Sequence, residues 1–94
     1  MVEKFVSVIV PCLNEERHIE ECLKSIFAND YPKGKLEVLV ADGMSKDRTR
    51  EIVEKYKIQN TGYKIQLLDN PKIITPAAMN VGVRNAKGDI IIKM

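Results

Sequence analysis

A chain of 94 residues with 45% hydrophobic and 30% charged side chains has the make-up of one compact globular domain, which argues against disorder. Fifteen Lys and Arg against thirteen Asp and Glu leave a net charge of +2, too little for a dedicated nucleic-acid binder. The charge is uneven: residues 1–47 carry six basic and nine acidic side chains, residues 48–94 nine basic and four acidic.

Residues 5–10 read FVSVIV, a nearly unbroken β-branched run ended by Pro11, and predict a central strand buried on both faces. Asn14 is a suitable N-cap for a following helix, with Glu15 and Glu16 in the first turn where the helix dipole favours negative charge. Ile19, Cys22, Leu23, Ile26 and Phe27 recur at helical spacing and form its apolar stripe. The breakers Asn29-Asp30-Tyr31-Pro32-Lys33-Gly34 end it.

Residues 36–41, LEVLVA, predict the second strand, stopped by Asp42-Gly43. Ser45 or Asp47 then caps a second helix that turns Ile52, Val53 and Tyr56 inward. Asn60-Thr61-Gly62 marks a turn before a third strand over 65–68. After Asn70-Pro71, Thr75-Pro76 is a helix start with the cap at Thr75 and Pro at the first helical position; Gly88 terminates this third helix. Residues 89–94, DIIIKM, predict a fourth strand.

The β-α-β-α-β-α-β order, with right-handed crossovers, predicts an α/β fold: an open parallel sheet in the order 3-2-1-4 with helices on both faces. The winding direction reverses between strands 1 and 4, and ligands of open α/β sheets bind beyond the carboxyl strand ends at such a point. That rim receives Pro11, Cys12, Leu13, Asn14 and Glu15 from the first strand. It receives Asp42, Gly43 and Ser45 from the second, and Lys93 and Met94 from the fourth. An ionised Asp42 at a strand end suits a base N–H or ribose hydroxyls; as a turn residue it would instead cap its own loop. Neither GxGxxG nor GxxxxGK[ST] occurs, which excludes a dinucleotide fold and a P-loop. Lys72 and Arg84 are the basic candidates for phosphate contact, against the ordinary reading of both as surface charge. His18, flanked by Glu16, Glu20 and Glu21 with no partner to orient it, reads as solvated. Cys12 and Cys22 fit no zinc spacing and predict reduced thiols in a cytoplasmic protein. The N-terminus lacks a signal-peptide run, and no stretch is long and apolar enough to span a membrane.

These segments together resemble the family 2 glycosyltransferases of GT-A fold. Val6-Ser7-Val8-Ile9-Val10-Pro11-Cys12-Leu13-Asn14-Glu15-Glu16 is similar to their opening V-S-V-I-I-P-x-x-N-E, and Val40 to Thr49 (VADGMSKDRT) to V-D-D-G-S-x-D-x-T. Asn70-Pro71, Pro76-Ala77-Ala78-Met79-Asn80-Val81-Gly82 and Ala86-Lys87-Gly88-Asp89 resemble the blocks before their fourth strand. The wording is nearest the branch that includes succinoglycan-type polysaccharide transferases. The resemblance implies that residues 1–94 form a nucleotide-sugar-binding half-domain of a longer, inverting transferase. Its donor would be a nucleotide-sugar, a UDP-sugar foremost, and its acceptor a polysaccharide or lipid-linked sugar. Pro11, Leu13 and Glu15 would line the nucleoside pocket, and Asn80 would lie near the donor. Asp42 would be the second acidic residue, which contacts the base; Ala41 departs from the first, and Met44 reads as an insertion.

The resemblance further implies an acidic motif holding Mg²⁺ or Mn²⁺ directly after the fourth strand, so that this segment alone binds no metal, lacks the general base and is inactive. Any membrane association would come from other parts of the parent, and an uncovered fourth strand predicts self-association through Ile90, Ile91 and Ile92. The competing readings are a non-enzymatic α/β interaction or regulatory module, and a nucleotidyltransferase. The latter calls for a Gly-rich, basic loop that Pro11 to Glu15 is not.

Overall fold

The computed structural model describes residues 4–72 and 75–94. The N-terminal residues 1–3, read above as lacking a leader, lie outside that range. The elements are β1 (Val6–Cys12), α1 (Ile19–Phe27), a 3-10 turn (Lys33–Lys35), β2 (Leu36–Asp42), α2 (Thr49–Gln59), β3 (Lys64–Asp69), α3 (Thr75–Asn85) and β4 (Ile90–Lys93). All four strands are parallel, in the order β3-β2-β1-β4. The expected sheet and the placement of helices on both faces are both observed.

Side-chain alternation divides the core between the two faces. Val6, Val8 and Val10 of β1 and Leu36, Val38 and Val40 of β2 point to one face. There they pack with Ile19, Leu23, Ile26 and Phe27 of α1 and with Val53 and Tyr56 of α2. On the other face α3 lies against β1 and β2. It approaches so closely that a Cβ on Gly82 would fall 2.7 Å from the side chain of Ile9. The four buried β2 residues from Val38 to Ala41 have no exposed surface, which explains the absence of polar alternation in that strand.

Three local expectations are corrected. Pro11 does not end β1: the strand runs on, with Pro11 opposite Ala41 and Cys12 opposite Asp42. Odd-numbered residues of β1 turn their backbone groups toward β4, as the bond from Met94 N–H to the Ile9 carbonyl (2.9 Å) shows. Position 11 lies past the last register pair of β1 and β4, Ile9 with Lys93, so its missing N–H interrupts no bond within the paired span. Asn14 does not cap α1. It has φ = 51°, and its side-chain oxygen accepts from Lys46 N–H at 2.9 Å. The Glu15 carbonyl instead receives His18 N–H at 3.0 Å and Ile19 N–H at 2.9 Å, and α1 begins at Ile19. Thr75, finally, is already the first residue of α3.

Candidate functional site

The carboxyl ends of β1 and β2 carry two loops that are laced together. Gly43 N–H donates to the Cys12 carbonyl at 2.8 Å. Asn14 N–H donates to Ser45 Oγ at 2.8 Å, Glu15 N–H to Thr49 Oγ1 at 2.7 Å and Glu16 N–H to Asp47 Oδ2 at 3.1 Å. Thr49 returns bonds to Asp47 Oδ1 from its N–H (2.9 Å) and its hydroxyl (2.5 Å). Asp47 thus ties both loops to the first turn of α2. Its pKa is lowered because these hydrogen bonds outweigh the opposing loss of solvation.

Asp42 is the hub of this lacing. Its side chain has no exposed surface. It accepts from Ser45 N–H at 2.8 Å, from the Ser45 hydroxyl, from Arg50 Nη1 at 2.8 Å and from the Cys12 thiol at 3.4 Å. Burial alone would raise its pKa, but the hydrogen bonds from Ser45, Arg50 and Cys12 prevail and hold it below the usual carboxylate value. Arg50 reaches on to Asp69 at the end of β3. Burial, and next the Asp42 carboxylate, push the Cys12 thiol up to about 12.

Asp42 therefore does not present a carboxylate to a base, contrary to the sequence reading; it is spent inward, toward α2. The backbone of Met44 explains the misreading. Met44 has φ = 64°, the left-handed region that favours glycine. Residues 42–49 then align with D-D-G-S-x-D-x-T without an insertion. Met44 stands at the glycine, Asp42 at the first acidic position and Gly43 at the second. The departure from the pattern lies at Gly43, not Ala41. Alternation places position 43 on the α3 face of the sheet.

On that face the rim opens into a cleft of about 200 Å³ lined by Pro11, Cys12, Leu13 and Glu15 of the first loop. Its opposite wall is Asn70 with Thr75 and Ala78 at the start of α3. Lys72 and Asn80, with Arg84, line a hollow of about 130 Å³ that also includes Asn70. Asn70 is buried, and its N–H donates to the Asp42 carbonyl at 2.8 Å. Cys12, Glu15 and Met94 border a further cavity of about 270 Å³ that reaches His18 and Cys22 of the α1 region.

The structure thus brings Pro11, Cys12, Leu13 and Glu15 together at one cleft, with Lys72 and Asn80 beside it. It assigns Asn14, Asp42, Gly43 and Ser45 to the scaffold beneath. Sequence reading missed Asn70, Thr75 and Ala78 as lining residues, although Asn70-Pro71 and Thr75-Pro76 had marked that loop. A larger hollow of about 370 Å³ lies between α1 and α2, lined by Glu20, Arg48, Glu51, Ile52, Lys55, Tyr56 and Gln59. No strand end opens into it, and its mixed charges pair on the surface, as in Arg48–Glu51 at 2.8 Å.

No group of three or more His, Cys, Asp and Glu among the described residues has metal-holding geometry. Asp42 and Asp69, at the ends of β2 and β3, are both engaged by Arg50. The described residues thus offer no cluster for the divalent ion, which the resemblance assigns to a motif after the fourth strand.

An open parallel sheet with a cleft at its switch point is the arrangement in which α/β domains bind their ligands. The glycosyl transferase family 2 model matches residues 7–94. The dolichyl N-acetyl-α-D-glucosaminyl phosphate 3-β-D-2,3-diacetamido-2,3-dideoxy-β-D-glucuronosyltransferase of Methanococcus voltae is 38% identical over 88 residues, 94% of this chain and 27% of the relative. The succinoglycan biosynthesis protein ExoA of Rhizobium meliloti is 36% identical over 89 residues, 93% of this chain and 26% of the relative. Among solved structures, the Pyrobaculum calidifontis mannosyltransferase PcManGT in complex with GDP-Man and Mn²⁺ superposes with a TM-score of 0.90 at 35% identity, over 97% of this chain and 27% of that one. Residues 1–349 of Staphylococcus aureus TarS in complex with UDP superpose with 0.80 at 33% identity, over 95% of this chain and 26% of that one. The chain belongs to glycosyl transferase family 2. It spans about a quarter of the length of the Methanococcus voltae and Rhizobium meliloti relatives.

Proposed function

We propose that this chain is the nucleoside-binding part of a glycosyltransferase that moves a sugar, with inversion, from a nucleotide-sugar to a polysaccharide or lipid-linked acceptor. The observation that carries the reading is the cleft between the Pro11–Glu15 loop and the start of α3, at the rim where an open α/β sheet binds its ligand. Leu13, exposed at the mouth, offers an apolar surface for a base, and Glu15 a carboxylate for ribose hydroxyls. Lys72 and Arg84, in the adjoining hollow, stand where basic side chains would meet a diphosphate.

UDP is the first donor nucleotide to test, because TarS is similar in structure and is solved with UDP. A guanine nucleotide is the second reading, favoured by the higher TM-score of the mannosyltransferase solved with GDP-Man. The mannosyltransferase complex with Mn²⁺ supports a divalent ion in the whole enzyme, which residues outside this segment would hold. Such an ion would stabilise the charge that grows on the departing diphosphate. On this account the segment alone transfers no sugar. The free thiols Cys12 and Cys22 suit a reducing cytoplasmic setting. Among the described residues no helix is long and apolar enough to cross a membrane.

Titration of UDP and GDP, each with and without Mn²⁺, against this chain and against the whole protein tests the reading. The whole protein should bind one of them more tightly, and only with metal. Equal, metal-independent binding by both would contradict the division of roles. Absence of any nucleotide effect on the thermal stability of the whole protein would favour an interaction module.

A further inference from the structure

At the opposite rim of the sheet, far from the cleft, a carboxylate is buried on the α3 face. Glu37 of β2 and its register partner Ser7 of β1 are 4% and 0% exposed. Ser7 Oγ donates to Glu37 Oε2 at 2.6 Å, and the same oxygen accepts Lys87 N–H at 2.7 Å. Ser7 Oγ in turn accepts Gly88 N–H at 2.8 Å. Among the described residues no Lys or Arg pairs with Glu37. Burying a carboxylate is costly, and an apolar side chain here would be cheaper unless the acceptor were needed. Directly at Lys87, and through the Ser7 hydroxyl at Gly88, it holds two consecutive backbone N–H groups of the α3–β4 connection.

The next residues are fixed as tightly. Asp89 N–H donates to the Phe5 carbonyl at 2.7 Å, while Asp89 Oδ2 accepts Phe5 N–H at 3.3 Å. A Cβ on Gly88 would fall 2.5 Å from Ser7 Oγ, 2.7 Å from Ser7 N and 2.9 Å from the Phe5 carbonyl oxygen. Two of these three atoms are backbone and cannot rotate away. From this anchor β4 runs four residues in register with Val6 to Ile9 and delivers Met94 to the cavity beside Pro11 and Cys12.

We propose that Glu37 and Ser7 are positioning residues that set the register of β4 on β1, and with it the height at which the chain beyond Lys93 reaches the nucleotide rim. A slip of one residue would shift β4 by about 3.3 Å and turn every side chain to the opposite face. The register claim stands on the hydrogen bonds alone; its meaning for sugar transfer rests on the function proposed above.

Amide hydrogen exchange and cross-strand nuclear Overhauser contacts, measured on this chain and its variants, test the inference. In β4 the N–H groups of Ile90, Ile92 and Met94 face β1 by alternation. Glu37→Leu, which keeps bulk but removes the acceptor, and Gly88→Ala should each lower protection of these amides at least about tenfold. The amides that pair β1 with β2 should change less than about twofold. Glu37→Gln keeps an acceptor oxygen and should retain the β1–β4 contacts. Should Glu37→Leu fail to fold, Ser7→Ala makes the same test, removing the acceptor of Gly88 alone. Equal loss of protection in every strand, an unaltered β4, or a Gln variant that behaves like Leu would overturn the proposal. Failure of the unaltered whole protein to transfer sugar would sink the transferase reading instead and leave the register result standing.

Discussion

Replacing Arg50 by Ala tests the wiring beneath the cleft. The Asp42 carboxylate is wholly buried, and Arg50 is its one cationic partner among the described residues. Removing one member of a buried pair costs about 3–5 kcal/mol, since the remaining charge is left uncompensated. Here the Arg50 side chain is 33% exposed, and Ser45 still donates two hydrogen bonds to Asp42. Water can reach the gap, so a loss of about 2–3 kcal/mol is expected. For a domain of this size that lowers Tm by roughly 8–24 °C. Urea unfolding at neutral pH measures it, with Arg48→Ala as the control; that exposed pair with Glu51 should give no measurable change. Adding Asp42→Asn to Arg50→Ala should recover part of the loss, since the amide carries no charge to strand. A change for Arg50→Ala no larger than the control, or no recovery in the double variant, would refute the reasoning.

Further outcomes follow from the same geometry. The Asp42 pKa is depressed in the folded state, so its contribution is present above the ordinary carboxylate pKa and fades as pH falls below about 5 and through the folded value. Asp42→Asn should therefore flatten the acid limb of the stability profile between neutral pH and pH 3. The Cys12 thiol, pushed up to about 12 by burial and the Asp42 carboxylate, should alkylate at pH 8 far more slowly than in the unfolded chain. A rate near that of the unfolded protein would contradict the burial and the Asp42 contact. Gly82→Ala should cost about 1–3 kcal/mol by overpacking Ile9, read from denaturant midpoints. Ile90, Ile91 and Ile92 are each more than 40% exposed on an edge strand, and a second copy pairing there should give concentration-dependent sedimentation. Ile91→Lys should abolish it, and a single monomer boundary for the unaltered chain at high concentration would rule it out.

Sequence order and pattern sufficed for the sheet. Short, β-branched apolar runs such as Val38 to Ala41 suit strands buried on both faces, and breakers such as Asn60-Thr61-Gly62 divide them from helices. The rim residues Pro11 to Glu15 followed from topology alone. What escaped depended on side-chain direction and partners distant in sequence. Asp42 looked available because nothing nearby announces Arg50, a turn inside the next helix, or Cys12 thirty residues earlier. Asn14 looked like a cap because its bond to Lys46 exists only once the two loops meet. Met44 looked inserted because a left-handed φ is invisible in residue type when glycine is not used. Glu37, within an apolar run, gave no sign that its carboxylate would turn inward to hold Lys87, fifty positions later.

The central claim is that a nucleoside occupies the space between the Pro11–Glu15 loop and the first turn of α3. Backbone chemical-shift mapping of this chain with millimolar UDP or GDP tests it most directly. The account predicts shifts at Leu13, Glu15, Asn70 and Ala78, with the hollow between α1 and α2 silent. Shifts centred on Glu20, Glu51 and Lys55, or none at the rim with either nucleotide, would contradict it.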